Sequence, residues 1–358
     1  MKLTAPRHSS KSRRPVTSPK EHTGPAPTGW LLQAPPGLAA SLKREMTYVG
    51  AIERRQNLFI SRQRNHDLLF VNKLKSDAGL SRLRIAEMIL FCPVFGRFKI
   101  SQRQLGSMAE ALKEAGPRRL VVSVTGKHFQ RHDLARFLER EMSARGYEFD
   151  NEIEDEVWMF CIDESYYFGM PLRKARDTEG RDQRLSERRG ALPPPAAAAL
   201  AFALAPKNDD VVLDPVCGSG TLLAEFHSYA PDARLIGLDI DPEAVEIARA
   251  NLPKNEHVMV ERRDSRKSGL QGGTVTAVVA NLPFGVQFGK REDNPKLYRE
   301  IIEECLRLRH PTNFRALFFT SDVESLQKAV GALKGIKLEE ALRVKVRGEL
   351  AVGYKLEV

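Results

Sequence analysis

The sequence predicts an α+β N-terminal part followed by an α/β C-terminal part built on a parallel sheet. Three observations carry this. The 358 residues exceed one average domain and suffice for two sizeable cores. From Gly29 onward, apolar runs alternate with amphipathic stretches. Finally, "DDVVLDPVCGSGTLLAEFHSYAPDARLIGLDIDPEAVEIARANL" reads as strand, glycine turn, helix, strand and helix with the periodicity of a buried parallel sheet.

In chain order, residues 1–28 form a Pro/Ser-rich tail with Lys2, Arg7, Lys11, Arg13, Arg14 and Lys20 against Glu21 alone. Such a segment cannot bury a core. A solvated disordered tail, a nonspecific nucleic-acid arm and a transit-like segment all fit it. The first folded part is expected over 29–170. It opens with a short strand, "GWLLQA", and a helix carrying Leu38, Leu42 and Met46 after Pro35-Pro36-Gly37. "LVVSVTGKHF" reads as a strand, "RHDLARFLEREMSARG" as a helix with Asp133 near its start, and "EVWMFCIDESYYFG" as a strand pair. His66 and His132 read as helix starts. They lack metal-ligand spacing, and no Ser or Cys nucleophile stands in an elbow beside them.

Basic residues such as Arg62, Lys73, Lys75, Arg97, Lys99, Arg103, Arg118 and Arg119 interleave here with Tyr48, Phe59, Phe98 and Phe129. That pattern suits phosphate contact with base stacking, and ordinary solvated faces show it too. A charge-dense linker is expected at 171–188, and the C-terminal domain at 189–358. There Pro193 to Pro195 enter an Ala-rich helix that should pack on a sheet.

With 56 Lys and Arg against 46 Asp and Glu, the net charge is +10, which favours a polyanionic partner. The four cysteines are widely spaced, giving neither a disulfide framework nor a metal site. No stretch approaches a membrane span, and no secretory core is visible. A soluble, intracellular protein, placed in the cytoplasm, with no membrane partner is the expectation.

The chemistry gathers at strand ends. Gly218 and Gly220, with Ser219 between them, permit a sharp turn, and Thr221 opens a helix whose amides attract an anion. The spacing lacks the third glycine of a dinucleotide fingerprint and the Lys-Ser/Thr of a P-loop. Asp239 ends the second strand about twenty residues on, where a carboxylate can hold ribose hydroxyls. Asp241, before Pro242, reads as a helix cap. "EHVMVERRD" ends in Asp264, placed to accept from an adenine amino group. The fourth strand, "TVTAVVANLPFG", ends at Asn281, Leu282, Pro283, Phe284 and Gly285. Four strand ends thus meet at one crevice. Taken locally, the last is a strand-ending turn.

"DPVCGSGT", "GLDIDP", Asp264 and "NLPFG" resemble the successive motifs of class I S-adenosylmethionine-dependent methyltransferases over about residues 187–358. The resemblance implies a Rossmann-like, seven-stranded sheet with a terminal antiparallel hairpin, here "RVKVRGELAVGYKLEV". Asn-x-Pro-Phe marks the branch acting on planar amino groups. "LPPPAAAALAFALA" before "LDPVCGSGTLLAE", with a small basic α+β part upstream, resembles the THUMP-domain RNA guanine-2-amino methyltransferases.

This likeness implies S-adenosyl-L-methionine as cofactor, held by Asp214, Gly218, Ser219, Gly220, Thr221, Asp239 and Asp264. It implies an RNA partner, foremost tRNA, on a THUMP-like, ferredoxin-like N-terminal domain. Asn281 and the Leu282 carbonyl would accept the amino hydrogens, Pro283 would fix the turn and Phe284 would stack on the base. The family usually has Pro where Leu282 stands, and many members have Asp at position 281 and Tyr at 284. Any residue supplies the carbonyl, and no strong base is obligatory. A glutamine or DNA-base amino methyltransferase and an inactive RNA-binding relative stay as alternatives. The loop "GVQFGKREDNPKLY", with Lys290 and Arg291, is either a phosphate clamp or a plain surface loop.

Overall fold

A computed structural model describes residues 28–63, 65–126, 129–173, 191–284, 291–346 and 348–358. Nearly all of the tail and of the linker, Gly285 and Lys290 lie outside the described residues. The chain divides into two compact units. One comprises the start of the chain up to Leu31 with Phe70–Lys73 and Leu90–Leu172, the other Leu32–Leu69, Leu74–Ile89 and Arg173–Val358.

The early elements are β1 (Gly29–Ala34), α1 (Ala39–Tyr48), β2 (Phe59–Arg62), β3 (Asp67–Val71), β4 (Met88–Arg97), α2 (Gln102–Ala115), β5 (Arg119–Thr125), α3 (Arg131–Ser143), β6 (Glu156–Ile162) and β7 (Ser165–Arg173). Their strands lie in the order β2-β3-β1-β4-β7-β6-β5. β5 runs parallel to β6, and β6 and β7 form an antiparallel hairpin turning at Asp163, whose φ is 51°. α2 starts with a capping box: the Ser101 hydroxyl accepts the Gln104 N–H at 3.2 Å, and the Gln104 side chain accepts the Ser101 N–H at 2.9 Å. Leu105, Met108 and Leu112 of α2 pack with Leu134, Leu138 and Met142 of α3 over Val157, Met159 and Cys161 of β6. His132 is at a helix start, as expected. His66 is not, because the run Asp67–Val71 is buried at every position and pairs as β3.

The second unit holds α4 (Pro194–Ala203), β8 (Val211–Asp214), α5 (Thr221–Tyr229), β9 (Arg234–Asp239), α6 (Pro242–Asn251), β10 (Val258–Arg262), β11 (Ala277–Asn281), α7 (Asn294–Leu308), β12 (Arg315–Thr320), α8 (Val323–Gly331), β13 (Lys337–Val346) and β14 (Glu349–Glu357). These strands lie in the order β10-β9-β8-β11-β12-β14-β13. β8 to β12 pair in parallel, while β14 runs antiparallel to both β12 and β13. Val278, Val279 and Ala280 are fully buried, as a strand covered on both faces requires. α4 follows Pro193 with proline in its first turn, and its run of alanines is buried, allowing close approach to α5.

The early segments Leu32–Leu69 and Leu74–Ile89 are fastened into this second unit by buried polar groups. The Glu45 carboxylate of α1 is 0 % exposed and accepts the Arg84 N–H at 2.8 Å, the Ile85 N–H at 3.0 Å and the Tyr229 hydroxyl. The Arg84 guanidinium donates to buried Glu225 of α5 at 2.7 Å. At the N-terminal edge of the sheet, Asp210 accepts from Thr276 at 2.8 Å and from Arg315 at 2.6 Å, tying the starts of β8, β11 and β12 together. Each charge is buried with a partner, the condition under which burial is tolerated.

Candidate active site

The chain runs outward from β8 through β9 to β10, then returns across β8 to place β11 and β12. Ligands of open α/β sheets bind where the order reverses, beyond the C-terminal strand ends. The expected site residues Asp214, Gly218, Ser219, Gly220, Thr221, Asp239, Asp264, Asn281, Leu282, Pro283 and Phe284 all follow or end β8, β9, β10 and β11 on that edge.

Between β8 and α5 the backbone turns through two left-handed glycines, Gly218 at φ 53° and Gly220 at φ 77°. A side chain at Gly218 would meet nothing within 4 Å, so the turn opens onto free space. One at Gly220 would press on Leu252 at 3.2 Å and Ala248 at 3.3 Å, so that glycine lets α6 pack close. The buried Ser219 and Thr221 hydroxyls lie 3.1 Å apart, and Asn251 donates to the Ser219 carbonyl at 3.0 Å.

Asp239 braces this turn. One carboxylate oxygen accepts the Gly218 N–H at 2.9 Å and the other the Asp241 N–H at 3.0 Å. Each oxygen keeps lone-pair capacity for a ligand hydroxyl. Asp241 caps α6, accepting the Glu243 N–H at 2.9 Å. Ile240, between the two acids, is 67 % exposed and offers an apolar face at the lip of the site. Sequence reasoning did not single it out. Its signal is that an apolar side chain follows directly on the strand-ending acid.

Asp214 is 1 % exposed and accepts the Val216 N–H at 3.1 Å. Burial, aided by the nearby Asp239 charge, pushes its carboxyl up to about 8. A cation arriving beside it would favour the ionised form. Burial and the same two acids hold the Cys217 thiol well above its usual range.

Asp264 differs from its expected state. It caps a short 3-10 turn, and its carboxylate takes the Arg266 guanidinium at 2.6, 2.9 and 3.1 Å and the Arg266 N–H at 3.0 Å. Arg266 therefore holds this carboxyl below its ordinary value. An incoming amino group must share the oxygens with that guanidinium or displace it. The adjacent basic run "RRDSRK" was the sequence signal for this partner.

Asn281 ends β11 half-buried, Leu282 is buried, and Phe284 meets Phe319 edge-on at 6.4 Å. The Leu282 N–H donates to Phe319 at 2.9 Å, and Pro283 presents its carbonyl to the Tyr298 hydroxyl at 2.5 Å. Sequence reasoning did not single out Tyr298, because it closes a stretch read as loop. In fact α7 starts at Asn294, with proline in its first turn. Among the described residues, no group of three or more His, Cys, Asp or Glu could hold a metal, and no helix is long and apolar enough to cross a membrane.

The strand order, with its return across β8 and its closure through antiparallel β14, is that of the class I methyltransferase fold. Residues 181–351 match the model of the UPF0020 family, described as the RMKL-like methyltransferase domain. The crystal structure of TrmN from Thermus thermophilus superposes with a TM-score of 0.75 at 22 % identity, covering 92 % of this chain and 99 % of that one. The human tRNA (guanine(6)-N(2))-methyltransferase THUMP3 is 28 % identical over 162 residues, which are 41 % of this chain and 32 % of that protein. The tRNA (guanine(10)-N2)-dimethyltransferase of Methanothermobacter thermautotrophicus is 33 % identical over 119 residues, 32 % of this chain and 34 % of that protein. The chain spans about a third of the length of these curated relatives.

Proposed function

We propose that this protein is an S-adenosylmethionine-dependent RNA methyltransferase acting on the 2-amino group of a guanosine, foremost in tRNA. The observation that carries the reading is the meeting, at one sheet edge, of the Asp239-braced glycine turn with the Asn281–Phe284 turn. The names of the partial-length relatives, two of them tRNA guanine-N2 methyltransferases, support the substrate class. The basic, aromatic-bearing N-terminal part would bind the RNA.

The donor set fits the cofactor. Asp239 retains acceptor capacity for ribose hydroxyls, exposed Ile240 offers a face for a flat base, and Gly218 leaves open the space a side chain would fill. Asp214 at the floor of the site suits a ligand ammonium, and Asp264 would read the adenine edge once Arg266 yields an oxygen. When bound, S-adenosylmethionine supplies an electrophilic methyl group.

The protein's task is then orientation. The Asn281 amide oxygen and the Leu282 carbonyl accept the two amino hydrogens, which turns the nitrogen lone pair out of the ring's conjugation. Phe284 stacks on the extruded base, a contact of roughly 1–3 kcal/mol. The nitrogen becomes strongly acidic only after gaining its fourth bond, so water can take the proton and Asn serves where a carboxylate would.

The test is incubation with labelled cofactor and total RNA, followed by mass identification of the labelled nucleoside. N2-methylguanosine is expected, and label in another base or in protein alone would overturn the reading.

A further inference from the structure

The Asn281–Phe284 turn is anchored on both sides of the Leu282 carbonyl. Upstream, the Leu282 N–H donates to Phe319 of β12 at 2.9 Å, continuing the ladder one residue past β11. Downstream, Pro283 has a ring-fixed φ and no N–H, so the soft dihedrals between the two anchors are φ and ψ of Leu282 and ψ of Pro283. The Tyr298 hydroxyl, 2.5 Å from the Pro283 carbonyl, fixes the last of these.

Tyr298 is itself immobilised. Its side chain is 0 % exposed, and its hydroxyl also meets Thr320 Oγ1 at 3.1 Å. Thr320 Oγ1 accepts the Asp322 N–H at 2.9 Å. With one proton per hydroxyl, the order is set: Asp322 N–H to Thr320, Thr320 O–H to Tyr298, Tyr298 O–H to Pro283. Burial pushes the phenol up to about 12, so it stays a donor through neutral pH. Asp322 in turn accepts Asn294 at 2.8 Å and Arg291 at 3.3 Å, locking the start of α7 into the same frame.

We infer that Tyr298 is a positioning residue for methyl transfer: by holding the Pro283 carbonyl it aims the Leu282 carbonyl and the Phe284 ring at the acceptor amine. The inference rests on the amino-methyltransferase reading above and deepens it, since it concerns a hydroxyl that bonds to Pro283 and Thr320 behind the turn. A buried tyrosine could serve packing alone. The ring suffices for packing, whereas aiming requires the oxygen.

The experiment compares the full chain with its Tyr298→Phe and Thr320→Val variants, assayed well below each variant's melting temperature. Tyr298→Phe should lower kcat about 10- to 100-fold, the scale of a small misplacement of reacting groups. KM for RNA and Kd for S-adenosylhomocysteine should stay within about threefold. Thr320→Val, which leaves the Tyr298 donor in place, should lose less than Tyr298→Phe. A Tyr298→Phe protein with unchanged kcat, whatever its melting temperature, would overturn the inference alone. A wild-type protein that methylates no nucleoside amine would overturn the functional reading and this inference with it.

Discussion

Asp239→Asn offers a quantitative test of the cofactor site. The carboxylate has about four lone-pair positions, and the Gly218 and Asp241 N–H groups occupy two of them. The asparagine amide is isosteric, but one of its two ends becomes a donor that must face one of those N–H groups. A ligand diol would lose one bond to a charged acceptor and keep a weaker, neutral one. With roughly 1.5–3 kcal/mol for the first kind and 0.5–1.5 for the second, affinity should fall by about 2–4 kcal/mol, or about 30- to 1000-fold. Calorimetric titration with S-adenosylhomocysteine measures it, and urea unfolding monitors the accompanying loss of stability as the turn loses an acceptor. Unchanged affinity in a folded variant would refute the assignment of Asp239 to the sugar.

Other expectations follow from the same geometry. Asn281→Ala should abolish methyl transfer while cofactor affinity stays within a few fold, checked by single-turnover assay beside calorimetry; equal activity would remove Asn281 from the amine. Asp214, raised to about 8, is largely protonated in the free protein at neutral pH, so binding of a cationic cofactor should release protons, and Asp214→Asn should abolish that release. Titration in buffers of different ionisation enthalpy reads it. Because the folded value lies above the unfolded one, Asp214's contribution to stability is full below about pH 4 and is lost as pH rises toward about 8. The melting temperature of Asp214→Asn should therefore vary less over that window. Glu45→Ala leaves the Arg84 and Ile85 N–H groups and the Tyr229 hydroxyl without this acceptor, at about 1–3 kcal/mol for each group left unsatisfied. Its urea midpoint should fall sharply, and a change below about 1 kcal/mol would show that the network does not fasten the unit.

The C-terminal sheet was legible because its signals are local. Val211–Asp214, Arg234–Asp239 and Ala277–Asn281 are short apolar strands that end at the polar residue expected to face the ligand, so period and boundary coincide. What escaped depends on pairings distant in sequence. Glu45 and Arg84 look like surface charges in their own helix and loop, and only the fold buries them against Tyr229 and Glu225. Tyr298 was hidden in an apparent loop, although Asn294-Pro295 was an available helix-start signal. The place of Asp264 just past β10 was legible, but its engagement by Arg266 was not, since a strand-end acid and a following arginine can equally point apart.

The Glu45 fastening also bears on whether catalysis is portable. Tyr229 and Glu45 lie 184 positions apart, yet they share one buried hydrogen bond, so the unit that bears the glycine turn is discontinuous along the chain. A fragment starting at 181, where the family match begins, would strip Glu225 of Arg84 and uncover the end of the helix that starts at the glycine turn. Fusing such a fragment to another RNA-binding domain to redirect methylation should give an unstable graft. One that carries residues 32–89 along would keep its own buttress.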